Sequence, residues 1–209
     1  NEIKKSKLLQ NQKITQIYNC IDEKNFFPSD LIDSRKELNL PKDKFIILIG
    51  SQKLNDKLKD NSQLLNIINK FSKDYFFVSF GRYYNSFSNI KNYGFINDKN
   101  KLRKLYSSAN LYLSFAKEEA FGKTLVESLM CNTPVISNHN VSAGEIINHK
   151  SNGYLVKNDD YYNAILWIKE NLNKKSKIID NSCLNKFSIK HISKEYISLY
   201  KSILKDHKL

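Results

Sequence analysis

The chain has 209 residues, 41% hydrophobic and 26% charged. That composition belongs to globular proteins and excludes a fibrous or disordered chain, and the length suits one ordinary domain that needs no metal or disulfide staple. The formal net charge is +13, from 34 basic and 21 acidic residues.

In chain order, Ile14 to Tyr18 reads as a strand near the start. Phe45 to Ile49 is an apolar run ending at Gly50, and the polar stretch Ser51 to Asp60 after it reads as a loop. A helix is expected from Asn61 to Phe71, where Leu64, Leu65, Ile67 and Ile68 recur. Tyr75 to Phe80 is the next strand, ending at Gly81, followed by a helix from Asn100 to Ser107 and a strand from Leu111 to Phe115. A helix over Lys123 to Met130 leads to a strand over Pro134 to Ser137, and Tyr154 to Val156 makes a short last strand. Helices over Tyr161 to Leu172 and Ser188 to Leu204 close the chain, the second carrying Ile192, Tyr196, Leu199, Tyr200 and Ile203 at intervals of three and four.

Short continuous apolar strands alternating with helices predict β-α-β units, and hence a doubly wound parallel sheet covered on both faces, an α/β fold. Three regions are expected: residues 1–40 as an N-terminal segment leading into the domain, 41–187 as the domain, and 188–209 as a C-terminal helix. Ligands of such sheets bind outside the carboxyl ends of the strands, so functional residues should follow strands.

Cys20, Cys131 and Cys183 are odd in number and scattered, which fits a reduced, cytoplasmic setting rather than a disulfide framework or zinc site. No run approaches a membrane span, and no secretory signal is visible. The opening Asn1-Glu2-Ile3-Lys4-Lys5 reads as mid-protein sequence. The positive charge has three readings. One is nucleic-acid binding and one is attraction to an anionic membrane or ligand. The third is a lysine-rich composition without functional meaning. Lysines are spread along the chain and only Arg35, Arg82 and Arg103 are arginines, which argues against a dedicated nucleic-acid reader.

The chemistry concentrates between Leu111 and Asp159. After the strand to Phe115 comes the loop Ala116-Lys117-Glu118-Glu119-Ala120-Phe121-Gly122, then the helix from Lys123. Gly122 permits close backbone approach, and the first helical N–H groups, near Gly122 to Leu125, form an anion site with the helix dipole. Thr124 adds a hydroxyl there. Glu119 in the loop and Glu127 in the helix can face one cleft, where sugar hydroxyls are natural donors to them. The four histidines, His139, His149, His191 and His207, lack ligand-like spacing and read as surface residues, although His139 follows a strand end. Tyr83, Tyr84 and Phe87 read as packing or as a loop beside the site.

Glu119-x7-Glu127, embedded in Glu-Ala-Phe-Gly-Lys-Thr-Leu-Val-Glu-Ser, resembles the E-x7-E signature of group 1 (family 4) glycosyltransferases, which are retaining enzymes with two Rossmann-like domains, the GT-B type. The flanks resemble that family in order: Tyr18 to Asp22 with Phe27-Pro28, Tyr93 to Ile96, Tyr106 to Leu111, Asn132 to Ile136, Gly144 to Ile147, Asn152 to Val156, and Phe187-Ser188 to Tyr200. The resemblance implies the C-terminal, donor-binding half of such an enzyme. In that half Glu119 accepts from donor-hexose hydroxyls, and Phe121, Gly122, Lys123, Thr124 and Leu125 meet sugar and diphosphate. Glu127 accepts from the ribose, Phe95 and Ile96 contact the base, and Lys59, with Gly50 and Gln52, lies at the leaving diphosphate.

The resemblance also implies a UDP- or GDP-linked sugar as donor substrate, with no cofactor and no metal. It places the acceptor site in a missing N-terminal domain. Transfer would run with retention to a glycan or lipid-linked acceptor. The cysteines and the charge of +13 add the expectation of a cytoplasmic site with peripheral contact to an anionic membrane, and the scarcity of arginine that of no nucleic-acid partner. The sequence departs from the pattern at Ser51, where the family often has Arg; at Asp60 after Lys59; at Phe115-Ala116; and at Val141-Ser142. Lys53 and Lys57 are candidate substitutes for the missing Arg. The Ser51 departure keeps open a non-catalytic nucleotide-sugar-binding module.

Overall fold

The computed structural model describes residues 13–53, 61–71, 73–82, 90–174 and 182–206; the side chains of 51–53, 61, 62, 82, 172–174 and 206 are outside the description. Six strands form one parallel sheet: β1 (Phe45–Lys53), β2 (Tyr75–Arg82), β3 (Ile90–Asn92), β4 (Leu111–Ser114), β5 (Val135–Asn138) and β6 (Gly153–Val156), in the order β3-β2-β1-β4-β5-β6. That is the doubly wound order, in which the chain reverses direction of winding between β1 and β4.

The strands read as unbroken apolar runs because both faces are covered. Ile46 and Leu48 of β1 face one layer with Val78, Tyr112 and Val135, while Ile47 and Ile49 face the other with Phe77, Leu111, Leu113 and Ile136. Helices α2 (Asn61–Phe71) and α6 (Tyr161–Lys174) cover the second face. Helices α3 (Lys99–Ser108), α4 (Lys123–Met130) and α5 (Val141–Ile146) cover the first, with a 3-10 turn at Ser182–Phe187. Asp98 caps α3 by accepting from Asn100 N at 2.9 Å and Lys101 N at 3.3 Å, which fixes where that helix starts.

Before the sheet, α1 (Leu31–Glu37) packs on α3 and is capped by Asp30. Its Arg35 is 3% exposed and fastens the edge of the fold. Its guanidinium donates to Ser108 O at 2.9 Å, Lys42 O at 2.6 Å, Lys44 O at 3.1 Å and Asn110 Oδ1 at 2.6 Å. The same Asn110 oxygen accepts from Ile46 N at 2.8 Å, so one buried fork ties α1 and the lead-in to β1 to the start of β4.

Two expectations need correction. Ile14 to Tyr18 is not a strand; the sheet's edges are β3 and β6, and this segment has no ladder to join. It passes over the 3-10 turn instead, where Ile21 N donates to Phe187 O at 2.9 Å and Tyr18 packs edge-on to Phe187. The loop expected from Ser51 begins later, because Ser51 to Lys53 continue β1 past an irregularity in its register with β2. The helix after Phe187 is α7 (Ile189–Asp206). Among the described residues, no helix is long and apolar enough to cross a membrane.

Candidate active site at the β1–β4 switch point

The carboxyl ends of β1 and β4 are neighbours in the sheet, and the loop after β4 leads straight into α4. Gly122 is the N-cap of α4 at φ 86° and ψ 48°, the left-handed region that glycine occupies without a Cβ penalty. Its carbonyl accepts from Leu125 N at 3.0 Å, so the helix begins at once and the amides of its first turn stay open at its end. Phe121 is buried and anchors the loop from below, its ring centroid 5.3 Å from Phe187 and 6.3 Å from Tyr18. Asn138 at the end of β5 and Asn140 at the N-cap of α5 hold the same loop, donating to Phe115 O at 3.3 Å and Ala116 O at 3.1 Å.

The two glutamates differ in environment. Glu119 is exposed on the loop, whereas Glu127 is 8% exposed inside α4. The Tyr106 hydroxyl donates to Glu127 Oε2 at 3.0 Å. Burial pushes the Glu127 carboxyl above its ordinary range, against the pull of the Tyr106 hydrogen bond and of the Lys99 and Lys123 charges. Burial and the Glu127 charge push Tyr106 well up in turn.

A second buried phenol lies between the elements. Tyr112 donates to Gly50 O at 2.8 Å. Burial raises its pKa first, and the charges of both Glu119 and Glu127 add to that rise. The Tyr112 hydroxyl thus ties β4 to β1 beside the first turn of α4. Such a site offers backbone donors and a positive helix end for an anion, flanked by two carboxylate acceptors for hydroxyls.

The other expected residues are placed as follows. Lys123 is exposed, Thr124 half-buried and Leu125 buried in the first turn of α4. Phe95, 52% exposed, and half-buried Ile96 stand between β3 and α3. Gln52 sits in the last residues of β1, with its side chain outside the description. Lys59, Lys57 and Asp60 lie outside the described residues, as do Tyr83, Tyr84 and Phe87. His139 lines an open cleft of about 620 Å³ with Lys117, Asn138 and Lys157, at the carboxyl ends of β5 and β6. Among the described residues, no group of three or more His, Cys, Asp or Glu side chains could hold a metal ion.

Sequence reasoning places Tyr106 on the apolar face of its helix and Tyr112 in a buried strand, and gives neither hydroxyl a role. The signal available is chemical: a tyrosine at a core position must find a partner for its hydroxyl.

Residues 84–183 match the family described as glycosyl transferases group 1. The chain is 24% identical to N-acetyl-alpha-D-glucosaminyl L-malate synthase of Bacillus anthracis, over 95% of this chain and 56% of that protein. A glycosyltransferase from Rickettsia africae ESF-5 superposes with a TM-score of 0.80 at 22% identity, covering 98% of this chain and 62% of the other. Anabaena HepE in complex with UDP and glucose superposes at 0.75 with 19% identity, covering 89% and 56%. This chain thus spans little more than half of the curated relative's length. The fold is Rossmann-like, and the solved structures that share it are GT-B glycosyltransferases. Over residues 84–183, just under half of its length, the chain is thus similar to the group 1 glycosyl transferases.

Proposed function

We propose that this chain binds the donor, a UDP- or GDP-linked hexose, for a transferase that passes the sugar to a glycan or lipid-linked acceptor with retention of configuration. The observation that carries the reading is the buried Glu127 carboxylate, held by Tyr106 inside the helix that starts at Gly122, beside the paired strands β1 and β4. The diphosphate lies at the open amides of α4, where charge that develops on the leaving group is stabilised by the helix end and by cations. Lys123 is one such cation, and Lys59 is the second that the family resemblance supplies. Glu119 accepts from hexose hydroxyls and Glu127 from ribose hydroxyls, while Phe121 and Gly122 present backbone amides and Phe95 and Ile96 meet the base.

Anabaena HepE, which shares this fold, forms a complex with UDP and glucose, and that supports this donor class. The acceptor site belongs to a further domain of the same protein. The net charge of +13 supports peripheral contact with an anionic membrane from the cytoplasmic side.

A thermal-shift panel of UDP, GDP, ADP and their sugar conjugates tests the reading. A ligand at about 100 times its Kd adds roughly 2.7 kcal/mol, on the order of 5–10 °C for a domain of this size. A shift with one base, reduced in Glu127→Ala, is expected. No shift with any nucleotide would sink the reading. Ser51, where the family often carries Arg, favours a second reading as a binding module without catalysis; turnover by the whole protein excludes it.

A further inference from the structure

We propose that Tyr106 is a positioning residue for Glu127: its hydroxyl holds one carboxylate oxygen so that the other is presented to the ribose hydroxyls of a nucleoside diphosphate. The inference rests on Glu127 being the ribose acceptor. It starts from the hydrogen bond of 3.0 Å between Tyr106 Oη and Glu127 Oε2, made by two side chains that are both buried.

The phenol is a rigid post. Tyr106 is 0% exposed in the last turns of α3. Its ring meets Phe80 and Tyr112 edge-on, with centroids 5.6 Å away in each case, and Phe26 at 6.3 Å. Its carbonyl accepts from Thr133 Oγ1 at 2.8 Å, which fixes the backbone beneath the ring. A tyrosine held on three sides cannot follow a carboxylate that swings, so the carboxylate is held to the tyrosine.

Glu127, by contrast, has rotatable bonds in its side chain, and a carboxylate has about four acceptor positions on its two oxygens. One donor on Oε2 fixes the plane of the group and leaves acceptor capacity for the paired hydroxyls of a ribose. For a merely structural contact, a neutral amide or an apolar side chain would fill the same space without burying a charge. Keeping a carboxylate there makes sense when a ligand supplies further donors.

Calorimetric titration with UDP, GDP and their 2′-deoxy forms tests the role, in wild type, Tyr106→Phe, Glu127→Gln and the double variant. Tyr106→Phe keeps the ring and removes the hydroxyl. The expected result is a loss of about tenfold in ribonucleotide affinity, the size of one charge-assisted hydrogen bond, and a clearly smaller loss for 2′-deoxynucleotides, which keep only the 3′-hydroxyl. In the Glu127→Gln background, Tyr106→Phe adds little.

The pH below which ribonucleotide binding fades moves up in Tyr106→Phe. The carboxylate then keeps Lys99 and Lys123 but loses its phenol donor, while Tyr112 and Cys131 also face it. Glu127→Asp, which keeps the charge but withdraws it by one methylene, should show the same selective loss. Equal losses for ribo- and deoxynucleotides, full additivity with Glu127→Gln, or an Asp variant that binds like wild type would overturn the proposal. A wild type that binds no nucleotide would instead overturn the donor-site reading itself.

Discussion

The hydroxyl of Tyr112 on β4 donates to the carbonyl oxygen of Gly50 on β1 across 2.8 Å, closing the sheet at the point where its winding reverses. The bond is buried, and it joins the two paired strands from which the winding runs in opposite directions, the place where such sheets bind ligands. Tyr112→Phe removes the donor and keeps the ring. The expected loss is about 1 kcal/mol of stability, read as a fall in Tm of roughly 2–4 °C. A Tm within experimental error of wild type would show that the bond is not needed to hold the crevice.

Gly50 itself is required for space. A Cβ there would come within 2.1 Å of two atoms of the Phe80 ring, and Tyr106 and Tyr112 pack against that ring from behind. Gly50→Ala should therefore destabilise by roughly 1–3 kcal/mol, measured by urea unfolding. The pair Gly50→Ala with Phe80→Leu should recover part of the loss. Without recovery, the clash lies elsewhere.

Gly122→Ala tests the helix start. At φ 86° an alanine is strained by roughly 1–2 kcal/mol, and its Cβ would also come to 3.1 Å from Ile146 and from Leu125. The backbone should relax by shifting the first turn of α4, so nucleotide-induced thermal stabilisation should fall along with Tm. A variant that loses stability but keeps the full ligand shift would separate Gly122 from the anion site.

The β1, β2, β4 and β5 runs, and the helices α2 and α4, are legible in the sequence because a strand buried on both faces and a helix buried on one carry unmistakable periodicities. The Lys123 to Met130 helix is legible to the residue, since Gly122 marks its start. What escapes is set by tertiary pairing. Ile14 to Tyr18 has strand-like composition but no sheet edge to join. Leu31–Glu37 is a short helix whose support comes from α3 and from Arg35, neither visible as local periodicity. The three-residue strand β3 and the six-residue helix α5 are too short to establish a period. Glu119, Gly122 and Glu127 stand out as candidates in the sequence because their spacing resembles a motif. Tyr106 and Tyr112 do not, because a core tyrosine looks like any other aromatic until its hydroxyl has a partner.

Arg35 carries a stability prediction away from the site. Its buried guanidinium satisfies three carbonyls from two segments and the Asn110 side chain. Lysine cannot reproduce a planar fork of that reach. Arg35→Lys should cost on the order of 3 kcal/mol, as expected when acceptors around a buried charge lose their donors. Asn110→Ala should cost less, and the double variant should be clearly less than additive because Asn110 Oδ1 serves both Arg35 and Ile46 N. Additive losses in denaturant titration would show that the two side chains act separately.

Glu127 sets the stability of the empty site against its use. Burial raises its carboxyl pKa in the folded chain above the unfolded value of about 4.3. The folded state therefore holds its proton more tightly than the unfolded state over that interval, and unfolding free energy contributed by this group falls as pH rises through it. Above the raised pKa the penalty is complete and constant. Glu127→Gln keeps the shape and a hydrogen-bonding acceptor for Tyr106 but never ionises. The variant should be more stable than wild type near pH 7 in the absence of ligand, and the gap should close as pH falls toward 4.3. At the same pH 7 it should bind ribonucleotides more weakly, since a neutral amide oxygen is a poorer acceptor for ribose hydroxyls than a carboxylate. Thermal unfolding across pH 4–8, with and without UDP and GDP, reads both effects at once. A variant less stable than wild type at neutral pH would mean that the buried carboxylate is compensated by its surroundings and that its charge is no burden to the fold.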